Sequence, residues 1–307
     1  MIEMENKMKK RPIVSVFGLV LVAFFTIGIA RNNFILDVEY YPPSVESGNV
    51  AIMLLGGSEG GMSNHSTELF TAKGYPCLKV AYFRTKHTPD RLEMIPLEYF
   101  EKAIGMFQSQ PEVKGKKIII IGGSKGGELA LLLASRYPQI EGVVVRVPSS
   151  VVFQGIGGPV KTSSWSYQGR PLPFVPYYKP FDYSKVVNNQ WRELYKLSLT
   201  QTEAVEKAVI KVERINGPVL LFSGKEDKMW PSSQMGDMIV KRLKAHHFPH
   251  WYKHCAYENA GHNFNEKSKM GGTPEGNKKA GIDSELRMFS FLSRLSGSDK
   301  NMNGTGS

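Results

Sequence analysis

The chain has 307 residues, of which 41% are hydrophobic and 22% charged, with a formal net charge of +11 at pH 7. This is an ordinary globular composition without visible repeats, long enough for one large α/β domain or two small ones. The positive charge is compatible with a polyanionic partner, an anionic membrane surface or solubility alone, but the lysines are scattered among acids and no nucleic-acid-binding motif is present, which argues against a nucleic-acid partner.

Lys7, Lys9, Lys10 and Arg11 precede an uncharged apolar run from Ile13 to Ala30. A basic head followed by an apolar body reads as an export signal or membrane anchor with its N-terminus in the cytoplasm. The run is at the short limit for a membrane span, and Gly28-Ile29-Ala30 offers small residues for cleavage. The expectation is therefore an anchor, or a signal peptide cleaved near Ala30, over residues 1–30. The following domain, 31–296, would stand outside the cytoplasm in the cell envelope or be secreted.

Phe34 to Tyr41 predicts a first strand, ended by Pro42-Pro43. Val50 to Leu55 predicts a buried strand that runs into Gly56-Gly57-Ser58-Glu59-Gly60-Gly61, a loop whose backbone N–H groups can approach a substrate closely. A helix over His65 to Lys73, a strand over Cys77 to Phe83 and a helix over Pro96 to Gln108 follow. Ile118-Ile119-Ile120-Ile121 predicts a strand buried on both faces, and Glu128 to Tyr137 a helix. Gly142 to Val147 is the next strand. Alternation at this pitch predicts a mostly parallel sheet covered on both faces by helices.

From about 151 to 200 the periodicity fails while aromatics accumulate, among them Phe153, Trp165, Tyr177 and Tyr195. Such an excursion predicts a lid whose aromatic residues either wall an apolar pocket or pack the insertion onto the domain. The alternation then resumes with a helix over Thr202 to Ile215, a strand over Pro218 to Ser223, a helix over Ser232 to Ala245, a strand over His250 to Tyr257 and a helix over Ile282 to Leu295. The Gly/Ser/Asn-rich tail, 297–307, reads as disordered.

Between the strand at Ile118 and the next helix stands Gly122-Gly123-Ser124-Lys125-Gly126. This is a G-x-S-x-G strand-to-helix turn that would hold Ser124 in a strained conformation at a helix N-terminus. Asp227 and His262 also follow strands, and the order Ser124, Asp227, His262 is that of an α/β-hydrolase. A serine hydroxyl becomes a nucleophile when a histidine takes its proton, and the histidine needs a carboxylate to fix its tautomer. Glu226 is the competing carboxylate; the shorter Asp227, further into its loop, suits the role better. The other six histidines fall on helices, in a turn or on the approach to the last strand. The backbone N–H groups of Ser58 and Lys125 are candidates to hold an oxyanion. The Lys125 side chain reads as solvated, or as a charge near an anionic leaving group. No spacing suggests a metal site, and no cofactor is expected.

Leu92-Glu93-Met94-Ile95-Pro96-Leu97-Glu98-Tyr99-Phe100, Pro111-Glu112-Val113-Lys114-Gly115, Gly123-Ser124-Lys125-Gly126-Gly127-Glu128-Leu129-Ala130 and Gly224-Lys225-Glu226-Asp227-Lys228-Met229-Trp230 resemble the C-terminal catalytic domain of acyl-CoA thioesterases and bile acid-CoA:amino acid N-acyltransferases. Gly261-His262 and Gly271-Gly272-Thr273-Pro274 continue the resemblance, which spans roughly Asn49 to Leu295. It implies the same three residues as triad and a small acyl thioester as substrate. The N-acyltransferases of that family carry cysteine at the nucleophile position, so Ser124 implies hydrolysis. Long members also carry an N-terminal β-sandwich, for which there is no room between Ala30 and Val50. An exported carboxylesterase or dienelactone-hydrolase-like enzyme is the alternative, and a non-catalytic lipid-binding homologue a third reading. The sequence carries no sign of oligomeric state.

Overall fold

The computed structural model describes residues 34–297 apart from Ser47 and Asn189. The expected anchor or signal over 1–30 and the tail beyond Gly297 lie outside these residues. Among the described residues no helix is long and apolar enough to cross a membrane.

In chain order the elements are β1 (Asp37–Tyr41), β2 (Val50–Leu55), α1 (Glu68–Thr71), β3 (Cys77–Ala81), β4 (Ile95–Pro96), α2 (Leu97–Gln108), β5 (Lys117–Gly123), α3 (Lys125–Ala134) and β6 (Ile140–Arg146). The insertion contributes β7 (Trp165–Tyr167), β8 (Arg170–Pro171), α4 (Tyr183–Val187) and α5 (Trp191–Ser198). There follow α6 (Thr202–Ala208), β9 (Val219–Gly224), α7 (Ser232–Ala245), β10 (Tyr252–Tyr257) and α8 (Pro274–Ser296). Seven strands form one sheet in the order β1-β3-β2-β5-β6-β9-β10. All neighbours in it are parallel except β1, which runs antiparallel along β3. This is the mostly parallel, two-sided sheet that the alternating pattern predicts.

The isoleucine run explains why β5 is central. Successive strand residues point to opposite faces, so Ile118 and Ile120 join a core with Met53, Leu55, Val143, Val145 and Leu129. Ile119 and Ile121 join the opposite core with Ile52, Leu54, Val144 and, from α8, Met288, Phe291 and Leu292. A strand buried on both faces has no room for polar alternation, and β5 accordingly has none between Ile118 and Ile121.

Two helices begin earlier than apolar periodicity predicts. α3 starts at Lys125 instead of Glu128, because Gly126 and Gly127 are helical where α3 lies against backbone of neighbouring strands. α8 starts at Pro274 instead of Ile282. Thr273 caps it by accepting the Gly276 N–H at 3.0 Å, and Pro274 occupies the first turn, where a missing N–H costs nothing. α1 is a single turn, and α6 stops at Ala208.

The insertion is packed rather than suspended over the domain. Phe153, Tyr195 and Trp230 form an aromatic cluster with ring centroids 4.9 to 6.0 Å apart. Trp165 packs against Tyr82 in a tilted contact and against Phe100 edge-to-face in the main core. The packing alternative for these aromatics is the one observed.

Lys125 is the unexpected feature of this core. It is only 1% exposed, and its Nζ donates to Glu128 Oε1 at 2.6 Å. The same oxygen accepts the Trp165 Nε1–H at 2.8 Å and the Phe153 N–H at 3.4 Å. The pair thus ties the start of α3 to the insertion, and the side chain is neither solvated nor available to a leaving group. Burial pushes the Lys125 ammonium down and the Glu128 carboxyl up from their ordinary values, opposed by their mutual attraction. Glu128→Ala should therefore destabilise the protein by about 3–5 kcal/mol in urea unfolding, because it strands a buried ammonium. The double variant Lys125→Met/Glu128→Met should lose much less. A cost for Glu128→Ala no greater than that of the double variant would show that the pair has no such role.

Candidate active site

Ser124 sits between β5 and α3 with φ 53° and ψ −124°, a conformation that side chains rarely adopt. Crowding of backbone on backbone enforces it. A Cβ on Gly122 would stand 2.3 Å from the Gly126 carbonyl oxygen, and one on Gly126 would stand 2.2 Å from the Gly56 oxygen. Only glycine permits β5, α3 and the end of β2 to approach this closely. The Ser124 N–H donates to the Arg146 carbonyl at 3.1 Å, which fastens the turn to the end of β6. Lys125, the first helical residue, has no acceptor for its N–H among the described residues, which leaves an unpaired, polarised donor next to the serine at the helix start.

Asp227 and His262 meet from two loops. Asp227 is 1% exposed, and its Oδ2 lies 2.9 Å from His262 Nδ1. That oxygen also accepts the Ser232 hydroxyl at 2.7 Å, while Oδ1 accepts the N–H groups of Met229 and Trp230 at 2.8 and 3.2 Å. With its oxygens so engaged, the carboxylate acts as an acceptor toward His262. Nδ1 then carries the proton and Nε2 keeps a free lone pair. Trp230 packs edge-on against the His262 ring at 6.0 Å and restrains its plane. The competitor Glu226 points elsewhere, being exposed while Asp227 is buried.

The loops are joined through their backbones. The His262 N–H and the Lys228 N–H both donate to the Met270 carbonyl, and Asn277 accepts the Gly261 N–H at 2.7 Å while donating to the Gly271 carbonyl. Gly271 has φ 96°, and a Cβ there would stand 1.9 Å from the Glu226 oxygen. The Gly271-Gly272-Thr273-Pro274 segment is thus a brace between the acid loop and the histidine loop. Ser232 and Asn277 escape a reading of the sequence because no local pattern marks them.

Ser124 and His262 line one cavity of about 740 Å³, together with Gly56, Gly57, Glu59, His65, Arg146, Val147 and Met288 among others. Asp227 stands behind His262 and does not reach it. Ser58 is exposed and does not line the cavity, whereas Gly57 does. The Gly57 N–H is bonded to Glu59 Oε1 at 2.9 Å. Among the described residues none of 151–200 lines this cavity, so the aromatics of the insertion do not form its wall. Its apolar share comes from Leu55, Leu69, Phe70, Val147 and Met288.

A second chain of the same residue types lies nearby. Ser223 Oγ is 2.7 Å from His254 Nε2, and His254 Nδ1 is 3.0 Å from Asp237. Ser223 is fully buried within β9, in regular strand and away from any helix N-terminus, so nothing can reach it. Burial also lowers the His254 pKa from its ordinary value. This relay is structural, and it separates hydrogen-bond order from a usable site.

A mostly parallel sheet with a serine in a strained strand-to-helix turn, lining one cavity with a histidine from a later loop, belongs to the α/β-hydrolase fold. Within it, the chain belongs to the family described as BAAT / Acyl-CoA thioester hydrolase C terminal, whose profile matches residues 95–266. It is 32% identical over 191 residues to human acyl-coenzyme A thioesterase 1, covering 62% of this chain and 43% of that protein. It is 27% identical over 266 residues to mouse acyl-coenzyme A thioesterase 5, covering 81% of this chain and 61% of that protein. The chain therefore spans less than two thirds of the length of these relatives. A dienelactone hydrolase-like promiscuous phosphotriesterase from metagenomic libraries shares the fold with TM-score 0.52 at 14% identity, covering 86% of this chain and 95% of that one.

The carboxylate assignment has a direct check. Asp227→Asn should leave the circular dichroism spectrum intact and lower turnover of an activated ester by about 10⁴-fold, the loss that reversing the histidine tautomer causes in serine proteases. Glu226→Gln should change it by less than a factor of two. Comparable damage from Glu226→Gln would move the role to that residue.

Proposed function

We propose that the protein hydrolyses acyl thioesters through an acyl-enzyme on Ser124. The observation that carries this reading is the His262–Asp227 hydrogen bond placed beside a strained serine, in a chain of the acyl-CoA thioester hydrolase family. The Ser124 hydroxyl attacks the thioester carbonyl while His262 Nε2 takes its proton. The tetrahedral oxyanion is held by the Lys125 N–H at the start of α3 and by the Gly57 N–H, which exchanges its Glu59 acceptor for the oxyanion. Collapse of this intermediate breaks the C–S bond, and His262 returns its proton to the leaving sulfur. Water then attacks the acyl-serine with His262 again as base, releasing the free acid and restoring the serine. Losing one oxyanion donor would cost about 3 kcal/mol in the barrier.

An oxyester on serine is less reactive toward amines, relative to water, than a thioester on cysteine. Hydrolysis is accordingly favoured over transfer to an amino acid. A carboxylesterase is the second reading, supported by a cavity with a large polar share and few apolar side chains.

The limited apolar wall sets the expected chain-length profile. Each buried CH₂ contributes about 0.8 kcal/mol, or roughly four-fold in kcat/KM, until the apolar surface is used up. Along an acyl-CoA series kcat/KM should rise only over short chains and then level off, with free acid as the sole product even when glycine or taurine is added. N-acyl amino acid as the main product would overturn the hydrolase reading. Turnover of p-nitrophenyl esters without turnover of any thioester would establish the carboxylesterase instead.

A further inference from the structure

Arg146 ends β6 and lines the Ser124 cavity. Its position relative to the serine is fixed by backbone: Arg146 pairs with Gly123 across β5 and β6, and its carbonyl accepts the Ser124 N–H. The next residue, Val147, is held at φ 45° with its N–H bonded to the Phe222 carbonyl at 2.6 Å. A β-branched residue at positive φ is a strained outlier. The strand therefore stops at the arginine, and Arg146 and Val147 both lie on the cavity.

Arg146 is half-buried as a residue, and its guanidinium makes no hydrogen bond or ion pair among the described residues. Cavity-lining charges and titratable groups around it are Glu59, His65, Lys267, Glu285 and His262. Glu59 is engaged by the Gly57 N–H, and Glu285 on α8 attracts Arg146 without reaching ion-pair distance. His65, whose Nδ1 is 2.7 Å from the Ser63 hydroxyl, has its pKa lowered to about 4 by burial and by the neighbouring charges of Arg146 and Lys79. It is therefore neutral at pH 7 and adds no second positive charge beside Arg146. A partly desolvated cation with five donors and no acceptor is costly unless something completes it.

We infer that Arg146 binds a carboxylate carried by the substrate a few bonds from the scissile carbonyl, so that the site selects acidic esters or thioesters. A guanidinium engages a carboxylate through two parallel hydrogen bonds, which orients as well as attracts it. The phosphates of coenzyme A cannot be this partner. The pantetheine arm between them and the thioester is many bonds longer than an arginine side chain, and Arg146 starts beside Ser124. The carboxylate can stand on the acyl half, as in the monothioester of a dicarboxylic acid, or on a short leaving group. This inference rests on the proposed hydrolysis at Ser124, but its binding part can be read without turnover.

The test compares kcat/KM of the protein for three thioesters: succinyl and butyryl thioesters of N-acetylcysteamine, and the butyryl thioester of mercaptoacetate. Preference for the succinyl compound by ten-fold or more places the carboxylate on the acyl half, and equal preference for the mercaptoacetate compound places it on the leaving group. In Arg146→Met the preference ratio should fall at least ten-fold, with Arg146→Lys between the two. No preference for either acid, or a ratio unchanged in Arg146→Met, would overturn the inference. If none of the three is hydrolysed, the hydrolase reading fails, and a thermal-shift titration with free succinate still decides the binding claim. Succinate should raise Tm of the unaltered protein and not of Arg146→Met at equal ionic strength; equal shifts, or none, would contradict it.

Discussion

The strained backbone of Ser124 is the constraint on which the rest of the molecule depends. It exists because β5, α3 and the end of β2 come too close for any Cβ at Gly122 or Gly126. Several features follow from that single turn. The Ser124 N–H reaches the end of β6, so the Arg146 backbone is held against the serine. Lys125 is carried beneath the surface, where only an ion pair makes it tolerable. The Glu128 carboxylate that completes the pair also takes the Trp165 indole, so the insertion is anchored by the residue that satisfies the lysine. Backbone strain and core packing are in this way coupled through the five consecutive residues from Ser124 to Glu128.

The opposite half of the site is organised by a carboxylate whose acceptors are all engaged. Asp227 receives two backbone N–H groups and the Ser232 hydroxyl, leaving His262 as the one partner whose orientation it controls. Trp230 belongs to the cluster formed with Phe153 and Tyr195 and also meets the His262 ring. The aromatic insertion thus supports the site from behind instead of closing it from above. That accounts for a cavity whose lining includes no residue of the insertion, and for its substantial polar surface.

Much of this architecture is legible in the sequence, for physical reasons. Four isoleucines in a row have no solvent-facing partner, so β5 must be central; Gly122 and Gly126 around Ser124 mark a turn that other residues cannot make. The order Ser124, Asp227, His262 and the preference for Asp227 over Glu226 rest on the same local logic; in the structure Asp227 is buried against His262 while Glu226 is exposed. What stays hidden is long-range. Nothing near Lys125 in the chain announces Trp165, and a lysine after a serine reads as solvated until the fold buries it. The start of α8 is marked by Thr273 and Pro274 rather than by apolar spacing. Arg146 reads as the polar end of a strand, and its place beside Ser124 is visible only once β5 and β6 are paired.

The central claim is that Ser124 is the activated nucleophile and His262 its base. Reaction with a fluorophosphonate followed by peptide mass mapping tests it most directly, since only an activated serine attacks that reagent. The account predicts a single adduct on the peptide carrying Ser124, absent from Ser124→Ala and formed far more slowly in His262→Ala. Undiminished labelling of Ser124→Ala, or an adduct mapped to another serine such as Ser223, would contradict it.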